Sequence, residues 1–451
     1  MSFQASTFLP EEALIVGLLR KAFAHGDEGA SVPLPNASPI EWDRVFETAL
    51  QWNIAPMLYR LIRKRPDVPN ASDIPGDALR NIEAAYTKTY MVNRANFSEL
   101  AKIVKALAAA DVRVLLLKGA HLAQFVYPDI GLRWMADIDI LIRRDDLKRA
   151  VRVLVQMGYA YPVQEAAVWD DFGEKKEIRD QEALVDWYKT DHMHLIYSNP
   201  NGIQTLEIHW GIAKSASPFT IHTEGLWERA RVEKMNGASV WVLSPEDLLL
   251  HISLHDAYYH RLKLFGLRPC CDVAAVVRRF SKEINWERLQ ARAREWGMEK
   301  YLYMTLRLSR ELIGTDIPVD LLEALGERTC TNRRFLEGVR RIFGKETDKP
   351  TYRGMKYPSK IHLFTHDERL FKKICFFLRR IPISRQELAS RYALPASSRR
   401  IPFYYLVRFV SLLFSYGRVY APYFWRQLRH GQNHHADGTL DQWLMSPLSK
   451  E

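Results

Sequence analysis

The chain contains few cysteines for its size, four among 451 residues. None of them forms the Cys-x-x-Cys pair that is typical of zinc sites and thiol oxidoreductases. So few thiols also favour a reducing compartment over a disulfide-stabilised secreted protein. Near the start, Glu11 and Glu12 stand where a secretory signal would carry basic residues. We therefore expect a cytoplasmic protein that has no zinc site.

The chain also lacks a hydrophobic run of the length that a transmembrane helix needs. The longest run, Ile401–Tyr416, is shorter than the ~18 residues typical of a membrane span, and Arg408 interrupts it. This run is interpreted either as a helix packed on the core or as an amphipathic helix lying on an anionic membrane surface. Internal repeats and low-complexity tracts are absent from the sequence.

Net positive charge is confined to one end of the chain. Residues 351–451 contain 17 Lys and Arg against 6 Asp and Glu, a net charge of +11 that equals the charge of the whole chain. This basic tail is interpreted as a solvated surface, or as a surface that contacts anionic lipid or nucleic acid. Arginines alternate with aromatic residues at helical spacing there, and no nucleic-acid-binding motif is recognisable, so a nucleic acid partner is not expected.

The apolar pattern predicts helices at both ends of the chain and an α/β core between them. Residues 1 to about 110 have helical spacing. Next come a strand at 113–117, a helix at 119–126, a strand at 138–142 and a helix at 145–158, the alternation typical of an α/β fold. From Ser244, a good helix cap, the chain again has helical spacing to about residue 314.

A β-hairpin is predicted where two apolar segments, 191–197 and 203–210, flank an Asn-Gly turn. With a turn of two or four residues, His194 lies opposite Glu207 or His209. These side chains share one face of the hairpin in either register.

Two aspartates, Asp137 and Asp139, interrupt the apolar run of the strand at 138–142. Side chains at positions i and i+2 of a strand leave from the same face, so both carboxylates project together while the isoleucines pack behind them. Two neighbouring buried carboxylates repel each other unless a cation holds them. The pattern therefore predicts a divalent metal site, with Mg²⁺ as the first hypothesis.

Several segments together resemble the uncharacterised nucleotidyltransferase family of the DNA polymerase β-type superfamily. They are LLLKG at 115–119, Arg133 ahead of DIDIL, the helix end Met157-Gly158-Tyr159, LEIHW at 206–210, the helix SPEDLLLHISLHDAYYH, Asp272, and INWERLQ at 284–290. The N-terminal helices and the tail are also similar to the family, so the resemblance covers most of the chain.

The resemblance implies an α/β (α+β) fold, a polymerase β-like nucleotidyltransferase core with a mixed sheet, flanked by N-terminal and C-terminal helical segments. The expected division is an N-terminal helical segment at 1–95, the nucleotidyltransferase core at 96–243, a helical domain at 244–345, and a basic, aromatic-rich helical region at 346–451.

The implied activity is nucleotidyl transfer of the EC 2.7.7 type, in which a nucleoside monophosphate passes from an NTP, expected to be ATP, to an acceptor with release of pyrophosphate. Mg²⁺, or Mn²⁺ in its place, is the expected cofactor. The resemblance assigns Asp137, Asp139 and Glu207 to the metal and to catalysis. Lys118, Gly119 and Arg133 are expected to bind the triphosphate, and His194 and His209 to contact substrate.

One position departs from the superfamily pattern, because Ala120 follows Gly119 where a serine is usual. Two alternatives therefore stay beside the enzyme hypothesis. One is a nucleotide-binding or regulatory module that has lost turnover. The other is a membrane-surface protein that acts in envelope polysaccharide assembly, at the inner face of the membrane. The acceptor is open among a small molecule, a peptide or protein, and a glycan precursor.

Overall fold

The structure is a computed structural model in which helices surround a mixed six-stranded sheet. The residues that it describes are 9–23, 40–63, 74–161, 167–169, 175–177, 185, 194–199, 201–203, 205–213, 217–326, 330, 332–343, 385, 388, 395, 397–408, 410 and 440–445.

Four helices form the N-terminal part: α1 (Pro10–Phe23), α2 (Trp42–Gln51), α3 (Ala55–Arg63) and α4 (Gly76–Ala109). The buried positions of α2 and α4 follow helical spacing, so each of these two helices turns one face to the core, whereas α1 is buried on all sides from Glu11 to Leu19. The long helix α4 is continuous through residue 95, where the sequence places the first domain boundary. The division itself stays a prediction.

The main sheet contains six strands: β1 (Leu115–Leu116), β2 (Ile138–Leu141), β5 (His194–Tyr197), β6 (Leu206–His209), β7 (Arg231–Met235) and β8 (Ala238–Val242). Their order is β5-β6-β2-β1-β8-β7. The β2–β6 and β1–β8 pairs are parallel and the other pairs are antiparallel. The mixed sheet and its flanking helices confirm the predicted fold class. Two further strands, β3 (Ala167–Trp169) and β4 (Lys175–Glu177), form a separate antiparallel pair.

Strand β2 separates two hydrophobic cores. Ile138, Ile140 and Ile142 are buried in the core that contains one face of α4, whereas Leu141 belongs to the core formed by the N-terminal and C-terminal helices. Because alternate residues of a strand point to opposite faces, the aspartates of β2 lie on the same face as Leu141. The carboxylates therefore lie between the sheet and the helices that follow it.

Short helical segments connect the strands near these aspartates. Helix α5 (Lys118–His121) follows β1 and continues as a π-helix, Leu122–Val126. A 3-10 turn, Ile130–Leu132, precedes β2, and another, Arg144–Asp146, leads into α6 (Leu147–Gln156). The first strand is shorter than predicted at both ends, and Lys118, which takes a positive φ of 36°, follows shortly after its C-terminal end.

The C-terminal helices are α7 (Thr223–Arg229), α8 (Pro245–Ser253), α9 (Arg268–Arg279), α10 (Trp286–Trp296), α11 (Glu299–Ile313), α12 (Val319–Gly326) and α13 (Asn332–Ile342). Ser244 caps α8 as predicted, since its hydroxyl accepts a hydrogen bond from the Asp247 amide. A π-helix, Leu254–Tyr259, continues α8.

The hairpin differs from its prediction in the length of its turn. The ladder pairs His194 with His209, one of the two expected registers, but it ends at the pair of Tyr197 with Leu206. Residues 198–205 therefore separate the strands. The physical reason is that Ser198 leaves the ladder to exchange two backbone hydrogen bonds with Ala160.

Most of the predicted basic region, 346–451, lies outside the described residues. Within the part that is described, residues 401–408 are helical, as both interpretations of the apolar run expected. Ile401 is buried, whereas Phe403, Leu406 and Val410 are exposed. The helix Leu440–Met445 packs against the C-terminal helices. Among the described helices, none is both long and apolar enough to cross a membrane.

The close approach of Gly266 to Trp52 gives a test of the packing between N-terminal and C-terminal helices. Both Gly266 (φ 54°) and Gly297 (φ 71°) have left-handed backbones. A Cβ atom on Gly266 would lie 2.4 Å from Trp52 Cα, whereas nothing lies within 4 Å of one on Gly297. We expect Gly297→Ala to lower the free energy of unfolding by about 1–2 kcal/mol from backbone strain alone.

Gly266→Ala adds a backbone clash to the same strain, and we expect a loss of about 3 kcal/mol or more. Urea unfolding followed by tryptophan fluorescence measures both variants. Equal losses for the two variants would contradict the packing described between Gly266 and Trp52.

Candidate metal centre

The centre is built on the parallel pair of strands β2 and β6. Asp139 and Glu207 are directly paired across these strands, so their side chains leave the sheet from the same face. Asp137 comes two residues before Asp139, and His209 two residues after Glu207, which puts all four on that face. The sequence predicted this for each strand separately, and the parallel pairing brings the two sets together.

Three of these side chains converge closely enough for one cation. The ligand atoms of Asp139, Glu207 and His209 all lie within 4.8 Å of one another. His209 Nε2 is 2.8 Å from Asp139 Oδ1 and 3.3 Å from Glu207 Oε2. Two carboxylates and an imidazole are ligands that divalent metals accept. The residues therefore fit a divalent metal ion, and the set includes a histidine that the sequence assigned to substrate contact.

Asp137 lies at the edge of this cluster. It is half-buried and directly precedes β2. Burial, followed by the neighbouring Asp139 carboxylate, raises the pKa of Asp137 to about 6. A carboxylate that resists ionisation in this way gains stability from a nearby cation, so its position is consistent with the metal role predicted for it.

Asp139 is stabilised as a carboxylate although it is only 2% exposed. Lys118 Nζ donates a hydrogen bond of 2.8 Å to Asp139 Oδ1, the same oxygen that His209 contacts. Burial by itself would raise the pKa of Asp139, but the Lys118 ammonium and His209 lower it well below its usual range. Burial would likewise lower the pKa of Lys118, and Asp139 raises it instead.

Gly119 and Ala120 form the first turn of α5 beside this cluster. A Cβ atom on Gly119 would lie 3.1 Å from Met135 Cγ and 3.5 Å from Arg133 Nη1, so the backbone approaches these side chains closely. Ala120 is completely buried, and its methyl group belongs to the core that contains Ile138 and Ile140. A hydroxyl at position 120 would enter that apolar core, which is a physical reason for alanine there.

Arg133, expected at the triphosphate, is held by a partner that the sequence did not assign. Its guanidinium forms two hydrogen bonds with the Asp272 carboxylate, of 3.0 and 2.9 Å. Tyr127 also donates a hydrogen bond to Asp272, and Arg133 Nη1 donates to the Trp134 carbonyl. Burial would lower the pKa of Arg133, but Asp272 raises it. Its contact with a triphosphate stays a prediction.

Asp272 is a positioning residue that sequence reasoning missed. It lies in α9, far along the chain from Arg133, and periodicity carries no signal for a contact at such a distance. The one hint was its presence among the segments that resemble the family. The buried ion pair joins the loop before β2 to the C-terminal helices, and it fixes the guanidinium next to Gly119.

Two histidines of the C-terminal helices interact with the charges of the cluster, His251 buried and His255 partly buried. His251 and His255 belong to α8 and its π-helical extension, and burial together with the Lys118 charge holds the pKa of each well below its usual value. Burial also lowers the pKa of His121, in α5, to about 3. These imidazoles are therefore neutral near pH 7. His194 pairs with His209 through the backbone of β5, and its predicted substrate contact stays a prediction.

The fold and the cluster together define an α/β protein with a candidate metal centre on a mixed sheet. Residues 38–314, more than half of the chain, match the protein family described as uncharacterised nucleotidyltransferase. The chain belongs to this family, which confirms the resemblance predicted from the sequence.

A solved structure, described as an antigenic nucleotidyltransferase-like protein from Paracoccidioides brasiliensis, is similar to this chain at 15% identity and a TM-score of 0.28. The match covers 51% of this chain and 92% of that chain. The search of curated proteins found no match.

Opposite stability effects are expected at the two aspartates in metal-free protein. Asp137→Asn removes a carboxylate whose pKa of about 6 shows that its ionised form is unfavourable in the folded state. We expect the variant to be more stable by about 1–3 kcal/mol at pH 7. Asp139→Asn leaves the buried Lys118 ammonium without its counter-ion, and we expect a loss of about 3 kcal/mol. Urea unfolding in EDTA measures both.

The gain from Asp137→Asn depends on pH in a defined direction. Between the unfolded pKa of about 4 and the folded pKa of about 6, the folded state binds the extra proton, so wild-type stability falls relative to the variant as pH rises. The difference should grow from pH 4 to pH 6 and stay constant above. A difference independent of pH would contradict the assigned environment of Asp137.

Proposed function

We propose that this protein is a divalent-metal-dependent nucleotidyltransferase, which transfers a nucleoside monophosphate from an NTP to an acceptor hydroxyl or similar group and releases pyrophosphate. The observation that carries the proposal is the convergence of Asp139, Glu207 and His209 on one face of the sheet. Membership of a nucleotidyltransferase family supports the reaction class.

Asp137, Asp139 and Glu207 are the proposed catalytic and metal-binding carboxylates, and His209 is a further ligand or a support for them. A divalent cation, which we propose to be Mg²⁺ or Mn²⁺, would neutralise charge on the triphosphate and activate the attacking group. Glu207 faces Asp139 from the neighbouring strand, at the exposed side of the cluster, and we propose that it orients or deprotonates the acceptor.

Lys118 and Gly119 are the proposed contacts for the triphosphate. Lys118 brings a positive charge to the carboxylate cluster, and Gly119 allows close approach of the backbone. Arg133 would add to the positive potential from its position beside Gly119, although Asp272 balances its charge. ATP is the proposed nucleotide, and the acceptor is a small molecule, a peptide or protein, or a glycan precursor.

The alternative is a nucleotide-binding or regulatory module that has lost turnover. Its support is Ala120, which stands where the superfamily pattern has a serine. The burial of that methyl group in the core weakens this alternative, because position 120 presents no side chain to the cluster. The acidic residues of the site, in contrast, are all retained. We therefore favour the enzyme.

The proposal is tested by removing the carboxylate of Asp139 or of Glu207 and measuring nucleotidyl transfer. The full chain is incubated with α-³²P-labelled NTPs and Mg²⁺ or Mn²⁺, together with small-molecule, protein and lipid-linked fractions of a cell extract. We expect labelled product and pyrophosphate with the wild type. Asp139→Asn and Glu207→Gln should lower the rate roughly 100- to 1,000-fold, because each removes charge that stabilises the transition state.

Glu233→Gln is the matched control, since Glu233 lies in β7 of the same sheet but outside the cluster. It should retain wild-type transfer. Metal-dependent NTP binding without transfer to any fraction would favour the module without turnover. Binding that is independent of metal, or unchanged in Asp139→Asn, would contradict the metal centre.

We further propose a cytoplasmic protein that contacts the inner membrane face through its basic C-terminal region. The support is the net charge of +11 in residues 351–451, together with the exposed side chains of Phe403, Leu406 and Val410, which recur at helical spacing. Apolar side chains on one helix face and surrounding basic charge are the combination that binds anionic lipid surfaces.

Co-sedimentation with vesicles measures this contact. We expect the wild type to bind vesicles that contain phosphatidylglycerol and not neutral phosphatidylcholine vesicles. The double variant Phe403→Ser/Leu406→Ser should bind the anionic vesicles about tenfold or more weakly, because two apolar side chains are removed from the lipid. Met91→Ser, at an exposed apolar residue of α4, is the control. Equal binding by both variants would contradict the contact.

A further inference from the structure

The Asp139 carboxylate has a cation of the protein's own beside it. Lys118 Nζ lies 2.8 Å from Asp139 Oδ1, and Asp139 belongs to the candidate metal ligand set. The side chains of this pair are 17% and 2% exposed. A metal ion that binds Asp139 through this oxygen therefore competes with an ammonium group already in contact with it.

Other cations near the cluster have fixed partners of their own. Arg133 is bound through both Nε and Nη2 to the Asp272 carboxylate, which holds the guanidinium away from Asp139. Lys118 is different, because its partner is the candidate metal ligand itself. Its four-carbon side chain can turn towards another anion while the backbone stays in place.

The backbone of Lys118 supports the same interpretation. Its φ of 36° is in the left-handed region, which is unfavourable for a residue with a side chain. Such a conformation persists only where the surrounding structure holds it, and it is frequent at functional sites. Here it follows the end of β1 and directs the lysine back to the neighbouring strand β2. Gly119, the proposed triphosphate contact, is the next residue.

We infer that Lys118 is a built-in counter-ion of the metal centre, which occupies the cation position at Asp139 in the nucleotide-free protein and moves to the triphosphate when the metal–nucleotide complex binds. In this exchange each negative group keeps a positive partner, because a divalent ion replaces the ammonium at the carboxylates while the ammonium meets the incoming phosphates. The inference rests on the proposed function, and it adds that metal binds weakly without nucleotide.

A distinct pattern follows for Lys118→Met, which removes the charge and keeps the length of the side chain. Without nucleotide, it should bind Mn²⁺ about tenfold or more tightly than the wild type, because the competing charge is gone. It should bind NTP more weakly, because the phosphate contact is gone. A residue that only contacted phosphate would leave Mn²⁺ affinity unchanged, and a merely structural residue would weaken both.

Electron paramagnetic resonance titration of Mn²⁺ with the full chain measures the first effect. Lys102→Met is the matched control, since Lys102 forms a lysine–carboxylate pair of similar length, 2.9 Å, with Glu99 on the surface of α4. The control should bind Mn²⁺ as the wild type does. Equal Mn²⁺ affinity in the wild type and in Lys118→Met would overturn the inference.

A second measurement uses the unmodified protein and does not depend on the folding of a variant. The rate of lysine acetylation by an amine-reactive acetylating reagent is measured by mass spectrometry. Acetylation of Lys118 should be slow and should become several-fold faster with saturating Mn²⁺, while the acetylation rate of Lys102 does not change. If Mn²⁺ binds but the acetylation of Lys118 does not become faster, the inference is overturned, whereas the proposed metal centre is not affected. Absence of Mn²⁺ binding to the wild type, even with a non-hydrolysable NTP, would instead refute the proposed function.

Discussion

The arrangement of this molecule depends on one buried carboxylate. Asp139 lies in the middle strand pair of the sheet, with apolar residues before and after it, in surroundings that disfavour a negative charge. Lys118 and His209 both contact its Oδ1 atom and keep it ionised. Because these two partners come from different elements, the turn after β1 and the strand β6, the stabilisation of one charge also fixes where those elements meet.

The C-terminal helices contribute to the site as well as to the core. Asp272 in α9 holds Arg133 beside the Gly119 turn, and α8 carries His251, which interacts electrostatically with Lys118 and Asp139. Asp139, His209 and His251 are all buried. Burial strengthens each electrostatic contact there, since little water remains to screen it.

In the candidate metal centre, the Lys118 ammonium lies beside the Asp139 carboxylate, so the same residues meet two demands. Three carboxylates in close proximity favour a cation strongly, yet a folded protein without nucleotide still has to accommodate their repulsion. Lys118 offsets part of that repulsion in the resting state, and its flexible side chain allows the contact to be exchanged. His209, between Asp139 and Glu207, keeps both carboxylates directed to the same point, so the ligand set is organised before a metal arrives.

Local pattern was sufficient to predict much of this protein. The alternation of strand and helix, the helical ends, the cap at Ser244 and the shared face of Asp137 and Asp139 follow from residue spacing, because spacing along one element determines which side chains share its face. The family followed from several segments spread over most of the chain. Glu207 was also recognisable, as an acid inside an apolar strand.

Contacts between distant segments required the tertiary structure. Four features each join residues that are far apart in sequence. They are the parallel pairing of Asp139 with Glu207, the inclusion of His209 in the candidate ligand set, the ion pair of Asp272 with Arg133, and the contact of Lys118 with Asp139. Hydrophobic periodicity describes one helix or strand at a time, so it cannot predict contacts between different elements. The sequence by itself therefore determined which residues are candidates for the chemistry and which face of its element each one occupies, and only the packing of the chain decided which of them meet.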